Sequence, residues 1–304
     1  MERISTMMTA QATVNDLAAT YEKLATTQQQ MASGLRISQP SDDPYGASQV
    51  VSWNGQLSAL NSYSTSVGDA TSWLGVTSGA LSDINSSVQR VRELVVEAGN
   101  GTMTASDSSS AAAEVNQLID AIKSSANTTY DGSYVFSGTA TQTAPYATGA
   151  GSSDAYQGNT SAISRAIGPG VSMQVNTDMS QLLGSGSSAN DGKLLDTLRT
   201  IASDLQSGTT ASGNALRSTD LQNLDSNLST LSTMQASAGA ITNRLTLASS
   251  RLQDMQQNVT AQVANTQNAD FAQTAIQYST EQAAYTAALK AGATIVQNSL
   301  VNFL

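Results

Sequence analysis

The side chains best suited to chemistry in this chain are carboxylates. Two of them, Asp42 and Asp43, stand together in the stretch GLRISQPSDDPYGAS, residues 34–48. A carboxylate pair can share a proton for acid–base work or help to hold a cation. Neither use fits, because no third polar ligand lies nearby in the sequence. The chain also has no His and no Cys. That removes the usual general base near neutral pH, the commonest metal ligand and all thiolate chemistry. Capping explains the pair instead. Asp43 before Pro44 is a carboxylate N-cap followed by proline at the first helical position. Asp42 adds negative charge beside the positive end of the helix dipole. Upstream, Gly34 can take the left-handed conformation that closes a helix, and Pro40 forbids its continuation. The stretch reads as a hinge between two helical segments.

Other chemical motifs fail on context. GSGSSA, 184–189, has dinucleotide-loop spacing but sits in a Ser-rich linker well past the nearest predicted strand. GSSANDGK, 186–193, has five residues between its glycines and Leu194 where a phosphate loop needs Ser or Thr. Asp154, Asp178, Tyr146 and Tyr156 could line a glycan-binding or hydrolytic module, but no spacing pairs the carboxylates. No catalytic, cofactor-binding or metal-binding residue is assigned, and the expectation is a protein that is not an enzyme.

Composition bounds the partners. The 304 residues carry a net charge of -10, with a pI near 4.3, so no phosphate-binding face is expected and nucleic acid is excluded as a partner. Charged residues are only 12% of the chain, about half the usual share for a soluble domain. The polar surface must then be Ser, Thr, Asn and Gln, a weakly self-repelling surface suited to close packing of many copies. No apolar run is long enough for a membrane span, so no membrane insertion is expected. The N-terminal MERISTMMTAQATVNDL lacks the apolar core of a cleaved signal. Composition alone points to the cytoplasm, and a dedicated export route without a cleaved signal fits equally.

The elements that carry these residues are mostly long helices. In the first 33 residues, Met7, Val14, Tyr21, Gln28 and Leu35 recur every seven, and Ala10, Leu17, Leu24 and Met31 fill the second seam position. A second heptad runs from about 45 to 98, with Trp53, Leu60, Val67, Leu74, Leu81, Val88 and Val95 in one row. That helix would be roughly 75 Å long. Trp53 and Trp73 read as core anchors. A shorter helix is predicted over 108–128. Residues 129–192 lose helical spacing, with a strand predicted at 134–138, a hairpin at 161–176 turning at Gly168–Gly170, and a linker at 182–193. Helix resumes at Leu194, Leu198, Ile201 and Leu205. A long helix follows from about 218, with Leu224, Leu231, Leu245 and Leu252 in its apolar row. The last, about 268–302, carries Phe271, Tyr278, Tyr285, Leu289 and Leu300, with Phe303 beyond it. The fold expected is mainly α: an elongated antiparallel coiled coil of N- and C-terminal arms with a small β-rich insertion at the far tip. Its parts would be a terminal coiled coil (1–35 with 268–304), a helical rod (36–130 with 193–267) and an outer insertion (131–192).

Four stretches carry a family resemblance. MASGLRISQPSDDPYGAS, 31–48, resembles the N-terminal hallmark of bacterial flagellins and their junction relatives, and the Pro-Ser-Asp-Asp-Pro form at 40–44 looks like the hook–filament junction branch. SSANTTYDGSYVFSGTATQTAPY, 124–146, is similar to that branch's segment leading into its outer domain. The last 37 residues, 268–304, resemble the C-terminal hallmark of the flagellin superfamily, ending in the junction branch's Ser-Leu-x-x-Phe-Leu form. ISTMM, 4–8, also fits that branch. The resemblance implies a structural adaptor forming a homo-oligomeric ring between hook-associated protein 1 and the flagellin filament. It further implies unfolded export through the flagellar type III apparatus, a dedicated export chaperone, and an extracellular location on the flagellum. The terminal helices would form the inner tube. Their assembly residues would be Met7, Val14, Leu17, Tyr21, Leu24, Met31, Phe271, Tyr278, Tyr285, Leu289, Leu300 and Phe303. A flagellin subunit is the alternative within the superfamily.

Overall fold

A computed structural model describes residues 2–101, 103–149, 153–186 and 191–301, apart from the side chains of 2–7, 9 and 295–301. In chain order the elements are α1 (Glu2–Ser33), α2 (Pro44–Gly99), α3 (Ala105–Ala126), β1 (Thr129–Tyr130), β2 (Ser133–Tyr134), β3 (Ser164–Gly168), β4 (Val171–Gln174), α4 (Ser180–Leu183), α5 (Leu194–Ser207), α6 (Thr210–Ala215), a π-helical turn (Leu216–Asp220), α7 (Leu221–Gln267) and α8 (Phe271–Val301). The chain forms two compact units, Met1–Ala59 with Asp254–Leu304, and Leu60–Gln253.

The second unit holds the larger core. There α2 and α7 run antiparallel: Arg92 meets Asp225 at 2.9 Å, and the Gln235 side chain donates to the Leu81 carbonyl at 3.3 Å. The sevenfold spacing explains the pairing. Leu60, Val67, Leu74, Leu81, Val88 and Val95 on α2 are buried, as are Leu231, Leu245 and Leu252 on α7. Each such Leu contributes roughly 1.5–3 kcal/mol over an exposed one. α3 joins α2 through Arg90–Glu114 at 2.6 Å, and α5 joins α3 through Arg199 and Asn116 at 2.9 Å. The start of α3 is set by a capping box between Thr104 and Asp107.

The segment between α3 and α5 is less β-rich than its composition suggests. Of the strand predicted at 134–138, only Tyr134 pairs, because β2 ends there. Val135 and Phe136 turn into the core and are fully buried, so their apolar run reports burial rather than strand period. β1 and β2 form a hairpin whose Asp131–Gly132 turn has φ of 48° and 72°, the left-handed pair that two-residue hairpins favour. β3 and β4 form the hairpin expected near 161–176, tied to α2 by Arg165–Asp69 at 2.9 Å. The predicted linker begins inside the core: Leu182 and Leu183 end α4 and are fully buried. Residues 187–190, and with them much of the two glycine-rich motifs, lie outside the described residues.

The residues that suggested a glycan site are structural. Asp154 accepts from Lys123 Nζ and from Arg199 Nε, each at 2.9 Å, and Lys123 is fully buried. Burial pushes the Asp154 carboxyl up, but the hydrogen bonds and charges of Arg199 and Lys123 outweigh it and hold it below the usual carboxylate range. Asp178 accepts from the Ser180 amide at 3.0 Å. The Tyr146 hydroxyl donates to the Gly184 carbonyl, and the Tyr156 hydroxyl to that of Phe136, each at 2.8 Å.

Candidate assembly surface

The stretch 34–48 and the short break between α7 and α8 are one construction. Gly34, at φ 69°, ends α1. The chain then pairs across to the other arm: Leu35 bridges Asn268, the Arg36 and Ile37 amides donate to the Gln267 carbonyl at 2.7 and 3.2 Å, and the Ala269 amide donates to the Gly34 carbonyl at 2.9 Å. Arg36 holds both helix ends. Its Nη2 donates to the Thr266 carbonyl, near the C-terminus of α7, at 2.7 Å, and its guanidinium pairs with Asp43 at 3.2 Å.

Asp43 caps α2, its Oδ1 accepting from the Gly46 amide at 2.9 Å. That hydrogen bond is the main cause holding its carboxyl below the ordinary value. Asp42 differs from the expectation of a charge placed beside the α2 dipole. Its Oδ2 accepts from the amides of Gln39 and Ser38 at 2.8 and 2.9 Å, closing the turn that contains Pro40. These hydrogen bonds, Gln39 first, lower its pKa. On the opposite arm, Asp270 opens α8 by accepting from the Ala272 and Gln273 amides at 2.9 and 3.2 Å. Gly46 and Ile37 escaped the sequence reading. A Cβ on Gly46 would fall 2.6 Å from both Asp43 Oδ2 and Ile37 Cδ1, so the cap and the buried Ile37 both need glycine there. The signal available was a glycine at the third helical position, where no turn asks for one.

Above the break, α1 and α8 pair antiparallel. Thr27 Oγ1 donates to Glu281 Oε2 at 2.5 Å, the Tyr21 and Tyr285 rings lie 5.7 Å apart, and a Cβ on Gly292 would touch Thr13 Cγ2 at 3.4 Å. On α1 the partly or fully buried positions include Ala10, Thr13, Leu17, Thr20, Leu24, Thr27 and Met31, at alternating spacings of three and four, with Gln30 beside them. On α8 they include Thr274, Tyr278, Glu281, Tyr285, Ala288 and Gly292. The two apolar rows predicted to share one stripe are therefore split. The Leu17–Leu24–Met31 row faces α8, and threonines fill the other half of the seam. The Thr20 hydroxyl bonds back to the Asp16 carbonyl at 3.0 Å, which leaves its methyl free to pack, while the Thr27 hydroxyl is spent on Glu281.

The other row is mostly exposed, although Tyr21 still meets Tyr285 on α8. Val14 is 59% exposed and Tyr21 58%. On α8, Phe271 is 66% exposed and Leu289 43%, and Ile276, which the sequence reading passed over, is 70% exposed. Met7 and Leu300 lie in helical backbone, but their side chains are outside the described residues, as is the whole of Phe303. Trp53, at the other end of this unit, is partly buried, whereas Trp73 is in the main core, edge-on to Tyr130 at 6.0 Å. The arrangement carries no chemistry. Among the described residues no cluster of three or more His, Cys, Asp or Glu could hold a metal, and no helix is long and apolar enough to cross a membrane. What it offers is two adjacent helices with apolar side chains turned outward.

Comparison with known proteins agrees with that description. Residues 4–141 match the bacterial flagellin N-terminal helical region and residues 221–304 the bacterial flagellin C-terminal helical region. The chain is 29% identical over 307 aligned residues to flagellar hook-associated protein 3 of Escherichia coli K12, covering 95% of each chain. A Clostridium tyrobutyricum flagellin is 40% identical, but over 101 residues and 33% of this chain. In fold it is similar to a flagellar hook-associated protein of Vibrio parahaemolyticus (TM-score 0.66, 21% identity, 75% of this chain and all of that one) and to the flagellar junction protein FlgL of Legionella pneumophila (TM-score 0.58, 17% identity, 72% of this chain and all of that one). These relatives are structural proteins of the flagellum and not enzymes. With both flagellin regions present and the likeness to hook-associated protein 3 running nearly end to end, the chain belongs to the flagellin superfamily, in its hook-associated protein 3 branch.

Proposed function

We propose that this chain is the adaptor between the flagellar hook and its filament. It forms a homo-oligomeric ring with hook-associated protein 1 below and flagellin above. The observation that carries the reading is the set of exposed apolar side chains Val14, Tyr21, Phe271, Ile276 and Leu289 on the α1–α8 pair. A chain that worked alone would gain nothing from such a set. A chain stacked among copies and relatives gains a seam at each neighbour. The 95% coverage shared with hook-associated protein 3, against partial coverage by flagellins, favours the adaptor over the filament subunit. In this reading, 1–35 and 268–304 form the inner tube, and the chain is exported unfolded through the flagellar type III apparatus with an export chaperone. The absence of cysteine removes any disulfide that would resist that passage.

Cells lacking the gene provide the test, by electron microscopy of their flagella and a protein gel of their medium. Bare hooks with intact flagellin in the medium support the adaptor. Bare hooks with the dominant secreted band missing would make the chain the filament subunit. Normal filaments, in a strain with no second copy of the gene, would overturn both.

A further inference from the structure

Two Asn–Gly pairs occur in the chain, Asn54–Gly55 and Asn100–Gly101, and the fold places them in opposite settings. Asn54–Gly55 lies inside α2, with helix on both sides. Its amides belong to the regular ladder, and the backbone cannot bend the Gly55 nitrogen onto the Asn54 side chain without breaking that ladder. Asn100–Gly101 forms the turn just past the end of α2. The Asn100 amide is shared between the Val96 and Glu97 carbonyls, each at 3.2 Å, and the Gly101 amide reaches only the Ala98 carbonyl, at 3.1 Å. These are the loose bonds of a helix end. Gly101 has φ 69°. Asn100 is exposed, and its carboxamide has no hydrogen bond among the described residues. Arg217, from the π-helical turn, lies over this end: its Nε donates to the Gly99 carbonyl, and its Nη2 is 3.4 Å from where a Gly101 Cβ would stand.

We infer that Asn100 is a site of spontaneous deamidation, with the Gly101 backbone nitrogen as nucleophile and Arg217 as the partner of the product carboxylate. The Gly101 nitrogen loses its proton to solvent and attacks Asn100 Cγ. The new C–N bond closes a five-membered succinimide, and the Cγ–Nδ2 bond breaks, releasing ammonia. Water then adds to one of the two ring carbonyls. Opening at one side gives aspartate, and opening at the other gives isoaspartate, whose backbone runs through the former side chain. Nothing is oxidised or reduced. Gly101 has no side chain to block the approach, and the weak amide bonds leave little to break.

The product adds one negative charge where the unpaired carbonyls at the end of α2 are already negative. It also offers Arg217 a carboxylate in place of the Gly99 carbonyl, a stronger acceptor for a guanidinium. The clasp between the end of α2 and the π-helical turn before α7 then changes from a carbonyl contact to an ion pair across the same two elements.

The test is peptide mapping by mass spectrometry of the intact chain, aged at mildly alkaline pH with and without denaturant. In the native chain the acid form at Asn100 should accumulate at least about tenfold faster than at Asn54, the ratio given by ~1.4 kcal/mol of extra opening free energy in the helix interior. In denaturant the two rates should converge. Chromatography should resolve aspartate and isoaspartate forms at position 100. Equal native rates, or faster conversion at Asn54, would overturn the proposal. So would a preference for Asn100 that persists in denaturant, since the fold would then not be its cause. Arg217→Gln should leave this native preference in place while changing the thermal stability of the converted chain less than that of the converted parent. An identical response in both would remove Arg217 from the inference.

Discussion

At the scale of single residues, two carboxyls respond to pH in opposite directions. Asp154, held low by Arg199 and Lys123, adds stability above the ordinary carboxylate pKa, and that stability is lost as pH falls through its lowered value. Asp220 is the reverse. It is 3% exposed at the end of the π-helical turn, and its Oδ2 has no hydrogen-bond partner among the described residues. Burial first, and then the charge of neighbouring Asp204, push it up to about 6. The folded chain therefore holds a proton that the unfolded chain releases, and stability falls as pH rises from about 4 to about 6. Asp220→Asn should raise stability by roughly 1–3 kcal/mol at neutral pH, with the gain vanishing near pH 4. Thermal melts of both chains across that range check it, and a gain that persists in acid would be wrong for this cause. The break at 34–46 gives a second pair of tests. Gly34→Ala meets no atom within 4 Å but keeps φ 69°, so it should cost about 1–2 kcal/mol. Gly46→Ala collides with Asp43 and Ile37 and should cost more, ~2–3 kcal/mol, with loss of the cap. Urea unfolding that ranks Gly34→Ala as the worse change would contradict the geometry.

At the scale of elements, the α1–α8 pair is poorly sealed by design of its sequence. Its seam mixes Thr, Ala, Gly and Glu281 with only Leu17, Leu24, Met31, Tyr278 and Tyr285, and other apolar side chains of the pair are exposed. Helix nuclei are costly, and little burial offsets them here. In the isolated chain, amides of α1 and α8 should exchange with solvent far faster than those of α2, α3, α5 and α7 in the main core. Exchange in residues 1–33 as slow as in α2 would show that the pair is stable without neighbours. The same seam marks where the sequence stopped being legible. Sevenfold spacing of Leu and Val located the long helices α2 and α7, because most of those side chains are buried there, and Gly34, Pro40 and Asp43–Pro44 located the break before α2. The spacing could not say which of two apolar rows on α1 faces α8. The deciding residues, Thr13, Thr20 and Thr27, read as polar yet lie partly or fully buried. The Asp131–Gly132 turn was legible and was passed over in favour of the apolar run that follows it, and the π-helical turn before α7 has no period to announce it.

At the scale of the whole molecule, no cluster of three or more His, Cys, Asp or Glu among the described residues could hold a metal. The Asp pair that opened the question of chemistry serves as a cap and a turn, and the carboxylates of the insertion serve as an ion pair and a turn. What remains unused is a set of exposed apolar side chains on α1 and α8, and the account rests on these being where copies and relatives attach. The most direct measurement is complementation of a gene deletion with a chain carrying Val14→Ser, Tyr21→Ser and Ile276→Ser. All three positions are more than half exposed, so the melting of the main core should be unchanged. The account predicts that the variant reaches the medium but leaves hooks bare, with flagellin released beside it. Filaments of normal length and number, built with the variant present, would contradict it.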